Sequence, residues 1–305
     1  KPWIESLWLE SQCPTKIIHS NFTQSTQNNL TKNGWEFKNH SYLQWNPDDI
    51  HKFGKVISNN LESNKNCEMI FDEEVISLIK EKNYFLIKTT NREFKARKII
   101  MAFGRGGWRQ ATEIFKELDL IRDDNEAFVG YRAEVSNTLM PHFNKSVSSL
   151  TKENLFVGPL NWNGSMIPED HVDITLANFR SNENRWHSDK VIFSVHKKLN
   201  FPNSGSFQME RLAKLAFVLS NDRIMKEKAR AFIKNQSVLS PLPEFKWVKE
   251  SFDELEKIIP NFKTKASIYF PEVKVLAAPI ELNSKLESKE IPGLFVVGES
   301  ARIEG

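Results

Sequence analysis

Two short apolar runs end on glycine: Ile99-Ile100-Met101-Ala102-Phe103-Gly104 and Leu294-Phe295-Val296-Val297-Gly298, the second followed at once by Glu299. An open parallel sheet binds ligands outside the carboxyl ends of its strands, and glycine there lets backbone approach a cofactor closely. A carboxylate at the position of Glu299 can accept hydrogen bonds from ribose or ribityl hydroxyls. An ordinary turn after a buried strand has the same local pattern, so the surrounding elements decide between the two. Other chemistries lack a carrier. The histidines, His19, His40, His51, His142, His171, His187 and His196, form no H-E-x-x-H and no tight pairing with cysteine, so a zinc site has no support. Cys13 and Cys67 make no C-x-x-C, and neither a G-x-S-x-G nor a Walker sequence is present, which removes dithiol, serine-hydrolase and P-loop readings.

The elements that must position these runs are legible in part. Residues 1 to 46 are rich in Asn, Gln, Ser and Thr and carry Trp3, Trp8, Trp35 and Trp45, which reads as loops anchored by tryptophan. Asn46-Pro47-Asp48-Asp49 starts a helix of about 14 residues, with Ile50, Phe53, Val56, Ile57 and Leu61 at helical spacing. Cys67 to Phe71 reads as a short strand. Val75 to Ile79, Tyr84 to Thr89 and Glu93 to Ala96 then form a three-stranded meander, and Arg97 to Phe103 a buried strand. Beyond it, helices are expected over Trp108–Leu118, Phe207–Leu219, Asp222–Lys234 and Trp247–Ile259. Strands are expected over Ala127–Val135, Val172–Asn178, Lys190–His196 and Tyr269–Leu282, with a last apolar strand before Gly298.

Strand, meander, strand, long insertion and a final strand ending Val-Gly-Glu together resemble the FAD-binding fold of glutathione-reductase-type flavoproteins. Met101-Ala102-Phe103-Gly104-Arg105-Gly106-Gly107 followed by Phe128-Val129-Gly130-Tyr131-Arg132-Ala133-Glu134-Val135 is similar to a passage of poorly characterised bacterial FAD-dependent dehydrogenases. Glu210 to Leu215, Glu272-Val273-Lys274 with Ala278-Pro279-Ile280, and Gly298-Glu299-Ser300-Ala301 resemble further motifs of that group. The likeness runs from about residue 45 to 305. It implies an α/β chain with a partial Rossmann-like FAD-binding domain (parallel sheet plus β-meander) over 1–103 and 293–305. A mixed α+β substrate or cap domain would be inserted over 104–292.

The resemblance also implies residue roles. Val75 would contact adenine through its backbone, Ala102 and Gly104 would pass near the pyrophosphate, and Gly298, Glu299, Ser300 and Ala301 would meet the ribityl chain. Arg132, Glu134, Glu272 and Lys274 would face the isoalloxazine or the substrate; an ion-pair network on sheet strands explains those four equally. The flavin carries the hydride in such enzymes, so the protein mainly positions and tunes it. Three departures stand out. None of the 12 glycines forms the G-x-G-x-x-G turn that holds the pyrophosphate, Ser300 and Arg302 crowd the final motif, and Lys274 replaces an Arg. The abrupt ends suggest an internal piece of a longer polypeptide that lacks the amino-terminal strand, turn and helix.

Composition bounds the rest. The chain has 305 residues, 40% hydrophobic and 27% charged, an ordinary globular balance in which roughly three quarters of the unfolded surface can be buried without staples. The 42 Lys and Arg against 39 Asp and Glu are spread along the chain, so a nucleic-acid partner is not implied. The basic run Arg223, Lys226, Lys228, Arg230 and Lys234 reads as a solvated helix face, with a phosphate surface as the other option. Two cysteines fit a reducing, cytoplasmic setting, and no apolar run reaches the length of a membrane span. Asn21 and Asn163 sit in glycosylation-type triplets that an Asn-rich chain produces by composition. The expectation is an FAD-dependent oxidoreductase acting on a small organic molecule. The alternative is a cofactor-free, flavoprotein-like scaffold that binds a protein partner through its Trp-rich amino-terminal region.

Overall fold

The computed structural model describes residues 2–13, 17–19, 21–43, 47–122, 124–143, 147–171, 174–181, 188–202, 204–274 and 276–301. Trp45, the Asn46 cap, Val172, His187 and Arg302 lie outside them. The amino-terminal stretch, expected as loops, contains α1 (Pro2–Ser11), β1 (Ile17–His19), α2 (Gln24–Lys32), β2 (Glu36–Asn39) and β3 (Ser41–Leu43). Thr23 caps α2 by accepting the Thr26 N–H at 3.2 Å, satisfying one of the donors a helix start leaves free. Trp35 is buried in the main core, as an anchor should be. The helix after Pro47 forms as α3 (Pro47–Ser63), with Asp48 and Asp49 in its first turn, where carboxylates favour the helix dipole.

The meander is β4 (Val75–Lys80), β5 (Phe85–Thr89) and β6 (Glu93–Ala96), followed by β7 (Ile99–Met101). No strand forms over Cys67–Phe71; Phe71 is 72% exposed, and among the described residues no neighbour offers that segment a ladder. Then come α4 (Trp108–Glu117), β8 (Glu126–Ser136), β9 (Ser148–Lys152), β10 (Leu155–Val157), β11 (Asn161–Trp162), β12 (Gly164–His171), β13 (Ile174–Ser181) and β14 (Lys190–Asn200). The carboxyl-terminal part has α5 (Gly205–Leu219), β15 (Met225–Lys228), α6 (Ala229–Ile233), α7 (Trp247–Glu256), α8 (Phe262–Lys265), β16 (Ser267–Val273) and β17 (Leu294–Val296). The basic helix expected over Asp222–Lys234 is therefore a strand and a short helix. Asn221 and Asp222 adopt positive φ, and Met225–Lys228 pairs with β16, so sheet pairing overrides helix propensity. The strand expected to reach Leu282 stops at Val273.

One mixed α/β architecture results, dominated by an antiparallel sheet in the order β15-β16-β8-β14-β10-β9-β2, with β11 beside β14. Its two long central strands align from Lys190↔Ser136 to Asn200↔Glu126. Because side chains alternate along a strand, Tyr131 and Ala133 share one face of β8 and Gly130, Arg132 and Glu134 the other. The apolar face carries Tyr131, Phe193 and Phe270, on which Phe252 of α7 packs edge-on, Phe262 of α8 tilted and Phe232 of α6 stacked, at 5.5–6.3 Å between ring centroids. The buried Tyr131 hydroxyl is satisfied by Ser251 Oγ at 2.8 Å. A second, smaller core joins the meander, β7, β17 and α4 through Leu78, Phe85, Met101, Phe115, Leu294 and Val296.

Candidate functional site

The two apolar runs separated by nearly two hundred residues meet as neighbours. β7 and β17 pair in parallel, Ile99↔Leu294 to Met101↔Val296, and the Val297 N–H donates to the Met101 carbonyl at 3.0 Å. Their carboxyl ends therefore open side by side. Gly104 and Gly298 both take left-handed backbone, φ 60° and 64°, and a Cβ on either would meet nothing within 4 Å. That geometry selects glycine and leaves space above both turns. Glu299, Ser300 and Ala301 continue in a single 3-10 turn. Ser300 is buried with an Oγ that has no hydrogen-bond partner among the described residues, an orphan that ordinarily marks a strained or ligand-facing group.

Glu299 is not free. Arg105, directly after Gly104, reaches it through Nη2 at 3.2 Å and Nε at 3.4 Å. The third guanidinium nitrogen, Nη1, binds both oxygens of Glu169 on β12 at 3.1 and 3.3 Å, and Asn178 on β13 also donates to Glu169. Burial works against the Arg105 cation, but Glu169 and Glu299 outweigh it and hold its pKa above the usual guanidinium value. One arginine thus ties the ends of β7 and β17 to the β12–β13 hairpin.

The polar face of the large sheet carries the second cluster. Arg132 grips Glu272 through Nε and Nη2 at 3.2 and 3.1 Å and donates from Nε to the Ala177 carbonyl of β13 at 2.7 Å. His196 Nε2 lies 3.3 Å from the same carboxylate. Glu272 and His196 stand on strands either side of β8, both opposite Gly130, where a Cβ would fall 2.1 Å from the Val195 carbonyl oxygen and 2.8 Å from His196 Cδ2. The missing side chain lets acid and imidazole meet across the intervening strand. Burial lowers the His196 pKa, with Lys274 and Arg132 adding to the effect and Glu272 opposing it. The field of Glu272 also reaches Arg105, so the two clusters share one electrostatic environment.

Ala102, Gly104, Gly298, Glu299, Ser300 and Ala301 therefore gather at the paired strand ends. Val75 faces Ala102, Phe103 and Ile100 across an apolar cavity of about 340 Å³, its carbonyl taken by Gln110 Nε2. β7 is not the fully buried strand its composition suggests: Ile100 is 69% exposed, because among the described residues only β17 pairs with it. Of the four substrate-side candidates, Arg132 and Glu272 form a pair, Glu134 accepts the Tyr269 hydroxyl at 2.8 Å, and Lys274 lies 5.6 Å over the Phe128 ring. They do not form a single constellation. Arg105, Glu169, Asn178 and His196 carry no role in the sequence reading. Arg105 could have been found, since it follows the glycine of the first run; Glu169 sits on a strand, β12, that polar composition conceals. Among the described residues no cluster of His, Cys, Asp and Glu is placed to hold a metal ion, and no helix is long and apolar enough to cross a membrane.

No protein-family model matches the chain, and no curated protein does. Among solved structures it is similar to glycine oxidase from Geobacillus kaustophilus, at 10% identity over 97% of this chain and 69% of that one, with a TM-score of 0.39. It is also similar to CtdE in complex with FAD and substrate 4, at 11% identity over 83% of this chain and 49% of that one (TM-score 0.32). The tetracycline destructase Tet(51) gives 10% identity over the same shares and a TM-score of 0.28. The chain spans about half the length of the latter two. Each score lies below the level that marks a shared fold, and the chemistry rests on the site's own residues.

Proposed function

We propose that the chain belongs to an FAD-dependent oxidoreductase that transfers a hydride between a small organic molecule and the flavin. One observation carries this reading: two parallel strand ends with left-handed glycines, open space above both, and a carboxylate next to the second. The residues present suit the ribityl end of the cofactor. Glu299 would accept its hydroxyl hydrogen bonds, Ser300 Oγ would gain the partner it lacks among the described residues, and the backbone at Ala102 and Gly104 would pass along the phosphates. No G-x-G-x-x-G turn occurs in this sequence, so the grip such a turn gives the pyrophosphate is not among what these residues supply. The bound flavin would supply the hydride-accepting ring. Arg132 and Glu272, with Glu134 and Lys274 further along the polar face, would orient the substrate; the working compartment would be the cytoplasm.

A second reading has its own observation. Arg105 already occupies both Glu299 oxygens, as it would in a scaffold that has dispensed with cofactor and serves a protein partner. The visible absorption spectrum of the full open reading frame, before and after denaturation, separates the two. Released FAD is the expected result, and Glu299→Ala should then weaken flavin retention by about tenfold, the loss of one or two hydrogen bonds to a charged acceptor. A colourless, folded product that ignores added FAD overturns the oxidoreductase reading.

A further inference from the structure

Two residues along β8 from Arg132, Glu134 stands in the wall of a cavity of about 230 Å³ whose lysines and hydroxyls the flavin reading does not use. Three elements each send a lysine to it: Lys190 at the start of β14, Lys228 at the end of β15 and Lys265 at the end of α8. Ser136, Thr138 and Ser267 supply hydroxyls in its walls. Charge accounting separates the lysines. Lys190 is balanced by Asp189 at 3.4 Å. Glu134, the acid in the wall, is balanced by Lys226 at 3.9 Å and by the Tyr269 hydroxyl. Lys228 and Lys265 have no carboxylate partner among the described residues. Lys228 is instead held by donating to Ser267 Oγ at 3.0 Å, which fixes its ammonium while leaving its charge uncompensated.

We propose that this cavity binds the dianionic phosphate of a small phosphomonoester, with Lys228 and Lys265 as the charge partners and the wall hydroxyls as donors. Two unmatched cations suit a group that carries close to two negative charges and three acceptor oxygens. A nucleic acid is disfavoured, because its phosphodiesters carry one charge each and its backbone would run past Glu134 and Asp189. The basic residues between Arg223 and Lys234 acquire a meaning here that a solvated helix would not give them. Strand β15 sets Lys228 against Ser267 and, two residues earlier on the same face, Lys226 against Glu134.

The test is titration of inorganic phosphate at constant ionic strength, followed by broadening of its 31P resonance. Saturable broadening is expected, competed by sulfate and unaffected by equivalent chloride. Lys228→Met with Lys265→Met should weaken it by at least about tenfold, and the exposed Lys265→Glu alone by a similar amount. Lys82→Met, on a distant turn, should leave it unchanged. Circular dichroism establishes that each variant is folded, and Lys265→Glu guards against a fold defect from the loss of the Lys228–Ser267 contact. No saturable broadening in the wild type, or equal broadening in the lysine variants, overturns the proposal. Displacement of phosphate by a short oligonucleotide at lower concentration overturns it in favour of a nucleic-acid surface.

Discussion

Gly130 determines how the centre of the large sheet is wired, because only a residue without Cβ lets Glu272 and His196 meet across β8. Gly130→Ala should therefore destabilise the fold by about 1–3 kcal/mol or more, the range for overpacking a closed site, measured by chemical denaturation. Glu272→Ala takes the bidentate carboxylate away from the buried Arg132. Both side chains are under 10% exposed, so the loss should be about 3–5 kcal/mol, and Glu272→Gln should cost less because it keeps an acceptor. His196 adds a pH dependence. Its pKa lies below 6.5 in the fold, so below pH about 6.5 the unfolded chain takes up a proton that the folded chain resists. Stability should fall as pH drops from 7 towards 5, and His196→Asn should flatten part of that slope. His40, also lowered by burial, accounts for a share that remains.

Between residues and molecule, the β12–β13 hairpin is buried against the main core through Ile174, Leu176 and Ala177 and is tied besides by two arginines. Arg105 binds Glu169, and Arg132 binds the Ala177 carbonyl. Arg105→Ala should expose residues 164–181 to faster amide exchange and proteolysis while the β8–β14 ladder stays protected; equal protection in the variant would mean that packing alone fixes the hairpin. At this scale the sequence was readable where local signals suffice. The meander, α3, α4, α5, α7 and the paired strands β8 and β14 follow from periodicity, caps and β-branched runs. It was unreadable where pairing is remote: Glu36–Asn39 becomes a strand only because β9 lies beside it, and Met225–Lys228 only because β16 does. The candidate site divides in the same way. Gly104, Gly298 and Glu299 announce themselves by position after apolar runs, whereas Glu169 and His196 gain their roles from strands that meet them only in three dimensions.

For the whole molecule, two cores of unequal size imply unequal stability. The main core closes over the apolar face of the large sheet, whereas the smaller one rests on a two-stranded parallel pair with an exposed Ile100. Amide exchange should therefore show Ile99–Met101 and Leu294–Val296 opening well before Val129–Val135 and Val191–Val195. Added FAD should protect the first pair selectively if flavin binds at the strand ends, since a ligand stabilises what it contacts. The same pairing has a consequence for synthesis. Met101 leaves the ribosome nearly two hundred residues before its partner Val296, and at about 5–20 residues per second that is a wait of about ten to forty seconds. Throughout it β7 is an apolar strand without its partner β17, while β8 meets β14 much sooner. Maturation of this chain is thus vectorial: the central β8–β14 ladder can close before the pair of strand ends that form the candidate site is complete.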